Sequence, residues 1–185
     1  VDWHPASRDH YRKDHVARIS PEYLWDRDGI TWTKVSSKGP TFRWFQSGMI
    51  AETGGPSVFL RDGVKDTFKF GAIGFLNSKV SMEILERLSP TINVQTNDVL
   101  NLPVVAEALS SAHSTTEQII TLSEADWAHN ERAREFQVVP LLSSDHRGET
   151  LAVTYANLRV HWRGMTGEMQ RLEEENNRIF IDAYG

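Results

Sequence analysis

The chain contains no cysteine, which excludes disulfides and thiolate metal sites and fits a cytoplasmic protein. It also lacks any apolar run approaching the roughly 20 residues that a membrane-spanning helix needs. Its start does not have the basic, apolar and small-residue pattern of a secretory signal. There is no initiator methionine. The chain begins at Val1 in a polar stretch and stops at Gly185 just after an apolar cluster, so a piece of a longer protein is expected. None of the seven prolines neighbours another. Internal repeats and low-complexity tracts are absent.

What is present suits a globular protein. The 185 residues suffice for one domain with a real core, or for a domain plus a helical extension. Hydrophobic residues make up 39% and charged residues 24%, which is ordinary for such chains. The net charge of -5 argues against nucleic acid, but it hides an asymmetry. Between Thr31 and Lys79, Lys34, Lys38, Arg43, Arg61, Lys65, Lys69 and Lys79 face only Glu52, Asp62 and Asp66, a surplus of four positive charges. From Ser81 to Glu135, three basic residues (Arg87, Arg132 and Arg134) face nine acids. Phosphate binding follows local potential rather than the chain total.

Val1–Asp28 is polar and aperiodic, and reads as a connecting segment. Ile30–Val35 alternates β-branched and aromatic residues with polar ones, as strands do. Ser36-Ser37-Lys38-Gly39-Pro40 is a turn by composition. Thr41–Ile50, Ser57–Leu60 and Phe68–Leu76 read as further extended runs, separated by Gly54-Gly55-Pro56 and Asp62-Gly63. The spacing predicts a small, mostly antiparallel sheet. Ser78 is a candidate N-cap for a helix whose Val80, Ile84, Leu85 and Leu88 share a face. Ser89 precedes Pro90, so that helix ends there. Thr91–Val94 reads as extended, and Asn97-Asp98 as the cap of a short turn. Val105–Leu122 has mixed helical character with Ile119, Ile120 and Leu122 as expected core contacts. Ser123–Pro140 reads as less regular, anchored by Trp127, Phe136 and Val138–Leu142.

The clearest periodicity closes the chain. Leu151, Tyr155, Leu158, Trp162, Met165, Met169, Leu172, Asn176 and Ile179 recur at alternating spacings of four and three. That is the coiled-coil pattern, in which a single seam Asn fixes register. Gly164 and Gly167 each weaken the helix by about 1 kcal/mol relative to Ala. The pattern suits a long helix on a partner element, or an amphipathic helix lying on its own domain.

Catalytic constellations are hard to find. His4, His10 and His15 lie near Asp9 and Asp14, but in a charged aperiodic stretch that reads as solvated side chains, not as a metal site. Ser144-Asp145-His146 holds the three triad residue types side by side, whereas a triad assembles residues distant in sequence; it reads as a polar turn. Gly71 and Gly74 form a GxxG that matches neither the P-loop nor the dinucleotide fingerprint. The Glu173-Glu174-Glu175 run reads as a wet helix face. Most of the six tryptophans read as core or seam residues, although tryptophans can stack on bases. The segment Thr31–Lys79 joins basic residues, aromatics and hydroxyls, which are the types that hold phosphates and read base edges.

Several blocks carry a family resemblance. Leu76-Asn77-Ser78-Lys79, then Ser89-Pro90-Thr91-Ile92-Asn93, then Asp98 and Asn101-Leu102-Pro103 match an "LNSK … SPTLNF … D … NLP" order of parts. Asp28–Ser37 is similar to an opening "EGITWSKISS" segment. Asp126-Trp127, Phe136 and Pro140-Leu141-Leu142 resemble "DWDS … W.F … PLL". Glu174–Gly185 is similar to "EELNRIFIDIYG", the most specific of the matches. Together these blocks resemble the target-recognition region of BREX-type adenine-specific DNA methyltransferases, the PglX family. More distantly they resemble type IIG restriction-modification enzymes and the specificity subunits of type I systems. The likeness covers most of Asp28–Gly185, while Val1–Arg27 matches little.

The resemblance implies an α+β fold: a small, mostly antiparallel sheet with flanking helices, then a long C-terminal spacer helix. The expected division is a connecting segment over 1–28, a target-recognition domain over 29–142 and a helical spacer over 149–185. In such enzymes an upstream domain binds S-adenosylmethionine and methylates adenine N6 through an (N/D)PP(Y/F) motif. This chain has no such motif, so no catalytic residue, metal or cofactor is expected within it. Double-stranded DNA, the methyltransferase domain of the same chain and other defence-system subunits are the implied partners. The DNA-binding candidates are Lys34, Ser36, Ser37, Lys38 and Arg43 in a first hairpin region, and Arg61, Lys65 and Lys69 in a second. The alternative is a protein-interaction module, in which the seam helix and the acidic middle dock other subunits and the sheet is scaffold.

Overall fold

The computed structural model describes residues 4–14, 20–49, 51 and 54–185. The chain gathers into two compact units that interleave along the sequence. One comprises Val1–Asp62 and Leu85–Leu102; the other comprises Gly63–Ile84 and Pro103–Gly185. The fold is α+β, with a small antiparallel sheet, helices and a long C-terminal helix.

In the first unit, β1 (Gly29–Trp32) lies between β2 (Phe42–Phe45) and β3 (Ser57–Val58), antiparallel to both. Register follows the side-chain alternation. Ile30 opposes Trp44 and Val58, and Trp32 opposes Phe42, so these residues share the core face. Trp32 is fully buried, with its ring centroid 5.3 Å from that of Phe42. Thr31, Arg43 and Ser57 point to the other face.

The polar N-terminal segment carries a helix. Residues Pro5–Lys13 form helix α1, with proline in the first turn and the His4 ring accepting the Ala6 N–H. No residue of α1 is buried, which is why no apolar period announced it. It is held by charge and by one ring. Arg12 bonds Asp9 and Glu22, and the guanidiniums of Arg8 and Arg12 lie 5.3 and 5.5 Å from the Trp25 ring centroid. Arg12 pulls the Glu22 carboxyl below its usual range by hydrogen bonding. Of the suspected histidine cluster, His15 lies outside the described residues; among those described, no three acids or histidines could share a metal.

The second unit is helical, and here one expectation fails. Phe68–Leu76 is not a strand but most of helix α2 (Asp66–Leu76). Its second half buries Gly71, Ile73, Gly74, Phe75 and Leu76, and so is apolar all round. A short, wholly apolar run has no period that separates a buried helix from a buried strand. Helix α3 (Lys79–Leu88) follows, with Ser78 capping it: the Ser81 N–H donates to Ser78 Oγ at 3.2 Å. It runs from the second unit into the first and ends before Pro90.

Helix α5 (Ala106–Trp127), which follows the short helix α4 (Thr96–Leu100) in the sequence, is longer and more regular than its sequence suggests. Its buried face is Ala108, Leu109, Ala112, Thr115 and Thr116, while Ile119, Ile120 and Leu122 are only half-buried. The core contact uses small residues because α2 presents glycines. A Cβ on Gly71 would come 2.1 Å from the Leu109 carbonyl oxygen. Helix α5 also takes in the start of the segment expected to be irregular, and Trp127, Val138 and Leu142 are exposed rather than anchoring.

Helix α6 (Leu151–Tyr184) runs unbroken through Gly164 and Gly167. Thr150 caps it by accepting the Val153 N–H. Thr154, Leu158, Leu172, Asn176 and Phe180 are buried. The last three pack on α6's own unit, where Phe180 meets Phe75 at 5.4 Å. Among the described residues, no helix is long and apolar enough to cross a membrane.

Candidate nucleic-acid interface

The β1–β2 connection, residues 33–41, carries four of the eight candidates, and Arg43 follows on β2. The turn is made locally. Ser36 Oγ accepts the Lys38 N–H at 3.3 Å, and Gly39 adopts φ 82°, which side chains disfavour. This leaves Ser37 and Lys38 exposed at the tip.

A loop of this length would be mobile if left alone, but here it is tied to the segment after α3. Val35 bridges Asn93 in antiparallel fashion. The Val94 N–H donates to the Lys34 carbonyl at 3.1 Å, and the Ser36 N–H to the Ile92 carbonyl at 3.0 Å. Below them the buried Trp32 Nε1–H donates to the Val94 carbonyl at 3.0 Å. Ser89 Oγ and Thr91 Oγ1 both donate to the Asn93 carbonyl. The Pro-terminated return after α3 is therefore a backbone clamp on the basic loop.

Charge is left available on this surface. Arg43 is exposed, and its guanidinium donates to Thr33 Oγ1 at 3.0 Å, which aims it across the base of the loop. Among the described residues no carboxylate forms an ion pair with Lys34, Lys38 or Arg43. Arg27 differs: it donates to the Leu60 carbonyl and to Asp62, at 2.8 and 2.9 Å. Arg61, also in the first unit, is exposed beside that acid.

The second group is not a hairpin. Lys65 is the exposed N-cap of α2 and Lys69 lies half-buried within α2, so both belong to the second unit. The structure thus brings Lys34, Ser36, Ser37, Lys38 and Arg43 together on one hairpin. Sequence reasoning missed Thr33 and the Ile92–Val94 clamp. Thr33 was legible as the continuation of the polar face begun by Thr31, opposite Arg43. The clamp was not, because it joins residues some sixty positions apart.

No protein-family model matches the chain. It is 33% identical over 162 residues to an adenine-specific methyltransferase PglX of Lacticaseibacillus casei (strain Zhang), covering 86% of this chain and 13% of that protein. It is 25% identical over 173 residues to an adenine-specific methyltransferase BrxX of Escherichia coli O9:H4 (strain HS), covering 94% of this chain and 14% of that one. The chain is similar to one stretch of adenine-specific methyltransferases. It spans only about a seventh of the length of the PglX and BrxX relatives.

The PglX and BrxX names raise the matter of S-adenosylmethionine, and the glycine pair Gly71 and Gly74 does not fit it. The one glycine pair in an apolar run, Gly71 and Gly74, is used up in helix packing. A Cβ on Gly74 would meet Thr116 Oγ1 at 2.2 Å and Asn176 Oδ1 at 2.7 Å. No space for a cofactor remains beside those glycines.

Proposed function

We propose that the first unit contacts duplex DNA on behalf of an adenine-specific methyltransferase of a phage-defence system, BREX or restriction-modification, and helps to choose its target. The observation that carries this reading is the clamped β1–β2 loop, with Lys34, Lys38 and Arg43 unneutralised among the described residues and Ser36 and Ser37 beside them. The cations neutralise phosphates, which position the protein, and the loop side chains reach base edges in the major groove. Arg61, exposed on the same unit, supplies a further phosphate contact. Transfer of a methyl group from S-adenosylmethionine to adenine N6, with the base flipped out of the stack, belongs to other parts of such an enzyme.

The test is fluorescence anisotropy with a labelled duplex across a salt series. The variant is Lys34→Glu/Lys38→Glu/Arg43→Glu, with Arg163→Glu on α6 as the control. Removing one cation from a phosphate lowers the slope of log affinity against log salt by about 0.9. The triple variant should bind weakly at low salt with a visibly shallower slope, and the control should match the parent. Unchanged affinity of the triple variant at low salt would overturn the reading.

A further inference from the structure

We propose that the groove between the second half of α5 and the middle of α6 seats one further helix, apolar on its inner face and flanked by lysine or arginine. This does not rest on the DNA-contact reading. Between Leu158 and Leu172 no residue of α6 is buried, yet the spacing of four and three continues there through Trp162, Met165 and Met169. Across from them stand Leu122 and Trp127 of α5. The groove encloses about 730 Å³, with Trp127 54% and Trp162 37% exposed.

Trp162 and the half-buried Met165 and Met169 along the 4-3 stripe, with the exposed Trp127 across from them on α5, present knobs and holes for a helix, and methionine adapts its shape to what it meets. Charge selects the occupant. The charged side chains lining the groove, among the described residues, are Asp126 and Glu173, both acidic. The nearby Arg171 is already held between Glu168 and Glu175 at 2.7 and 2.8 Å. A second copy of this chain would set Glu168 and Glu173 against the same acids in either helix direction, and like charges at those flanking positions repel. A basic-flanked helix meets them with opposite charge.

The probes are two synthetic heptad peptides with leucine seams, one flanked by lysine and the other by glutamate. Binding to the full chain is read from the anisotropy of labelled peptide and from tryptophan emission. The lysine-flanked peptide should bind more tightly by about tenfold or more. Asp126→Lys/Glu173→Lys should reverse that preference, and Met165→Ser/Met169→Ser should abolish binding of both peptides. The surface pair Asp126→Lys/Glu173→Lys keeps the test decisive if the methionine variant unfolds. Equal binding of the two peptides, or a preference that survives the charge swap, overturns the proposal. So does light scattering that shows a dimer of the parent chain but a monomer of Met165→Ser/Met169→Ser, since a second copy would then be the occupant.

Discussion

The Asn176 side-chain amide donates to the Gly74 carbonyl at 2.9 Å and so closes the end of α2 from 102 residues away. The usual helical partner of that carbonyl, the Ser78 N–H, turns instead to Phe75. Asn176 Oδ1 in turn accepts the Thr116 hydroxyl at 3.3 Å, so one buried side chain joins α2, α5 and α6. A seam asparagine expected to set register against a partner is thus spent inside its own unit.

Replacing Asn176 should therefore cost stability rather than change association. Asn176→Ala leaves a buried carbonyl without its donor, worth about 1–3 kcal/mol. Asn176→Asp should be worse, because a carboxylate cannot donate and would face the carbonyl with charge. Urea unfolding followed by helical circular dichroism reads both. An Asn176→Asp variant as stable as the parent would remove the capping role.

Glycine substitutions should split by sign. Gly71→Ala pushes a methyl into the backbone oxygen of Leu109, which cannot swing aside, and overpacking of this kind costs about 1–3 kcal/mol or more. Around Gly164 and Gly167 there is open space within 4 Å, so alanine there gains helix propensity, about 1 kcal/mol each. Thermal unfolding of the three single variants checks the contrast. Equal shifts in one direction would contradict it.

That contrast also explains what could be read in advance. Strands β1 and β2 and the capped, proline-stopped helix α3 were legible because alternation, an N-cap serine and a pre-proline residue are local signals. Helix α2 was not, because after Lys69 the run Phe70–Leu76 is apolar on every side and its glycines look like breakers until a neighbouring helix is seen against them. Helix α6 was legible as a helix, but its seam was only half informative. Leu158, Leu172 and Asn176 are buried, while Leu151 and Tyr155 are exposed. The basic loop could be picked out by composition; its clamp depends on pairing across the chain and carries no local mark.

Trp32→Phe should test that clamp. It removes the donor to the Val94 carbonyl at a fully buried position and should cost about 1–3 kcal/mol. The Val94 and Ser36 amides, which pair with the loop and its return, should exchange faster with deuterium than in the parent. If the loop contacts DNA as proposed, affinity should also fall although no charge has changed. Unaltered exchange at both amides would show that the loop holds itself.

Tyr184 should give the stability a pH limb of its own. Burial pushes its phenol above the usual value, opposed in part by the Val105 backbone N–H. The neutral hydroxyl donates to the Pro103 carbonyl, and the ring stacks on Phe75 at 5.7 Å. A group whose folded pKa is raised contributes stability that is complete below its unfolded value, about 10 for tyrosine, and is lost as pH rises through the folded one. Tyr184→Phe keeps the stacking ring and removes the proton. It should be less stable than the parent near neutral pH, by the one hydrogen bond, and lose less stability as pH rises above about 10. Other tyrosines and lysines titrate in the same range, so the difference between the two unfolding curves is the readout. Curves that stay parallel to about pH 11 would show that the phenol is not held neutral by its site.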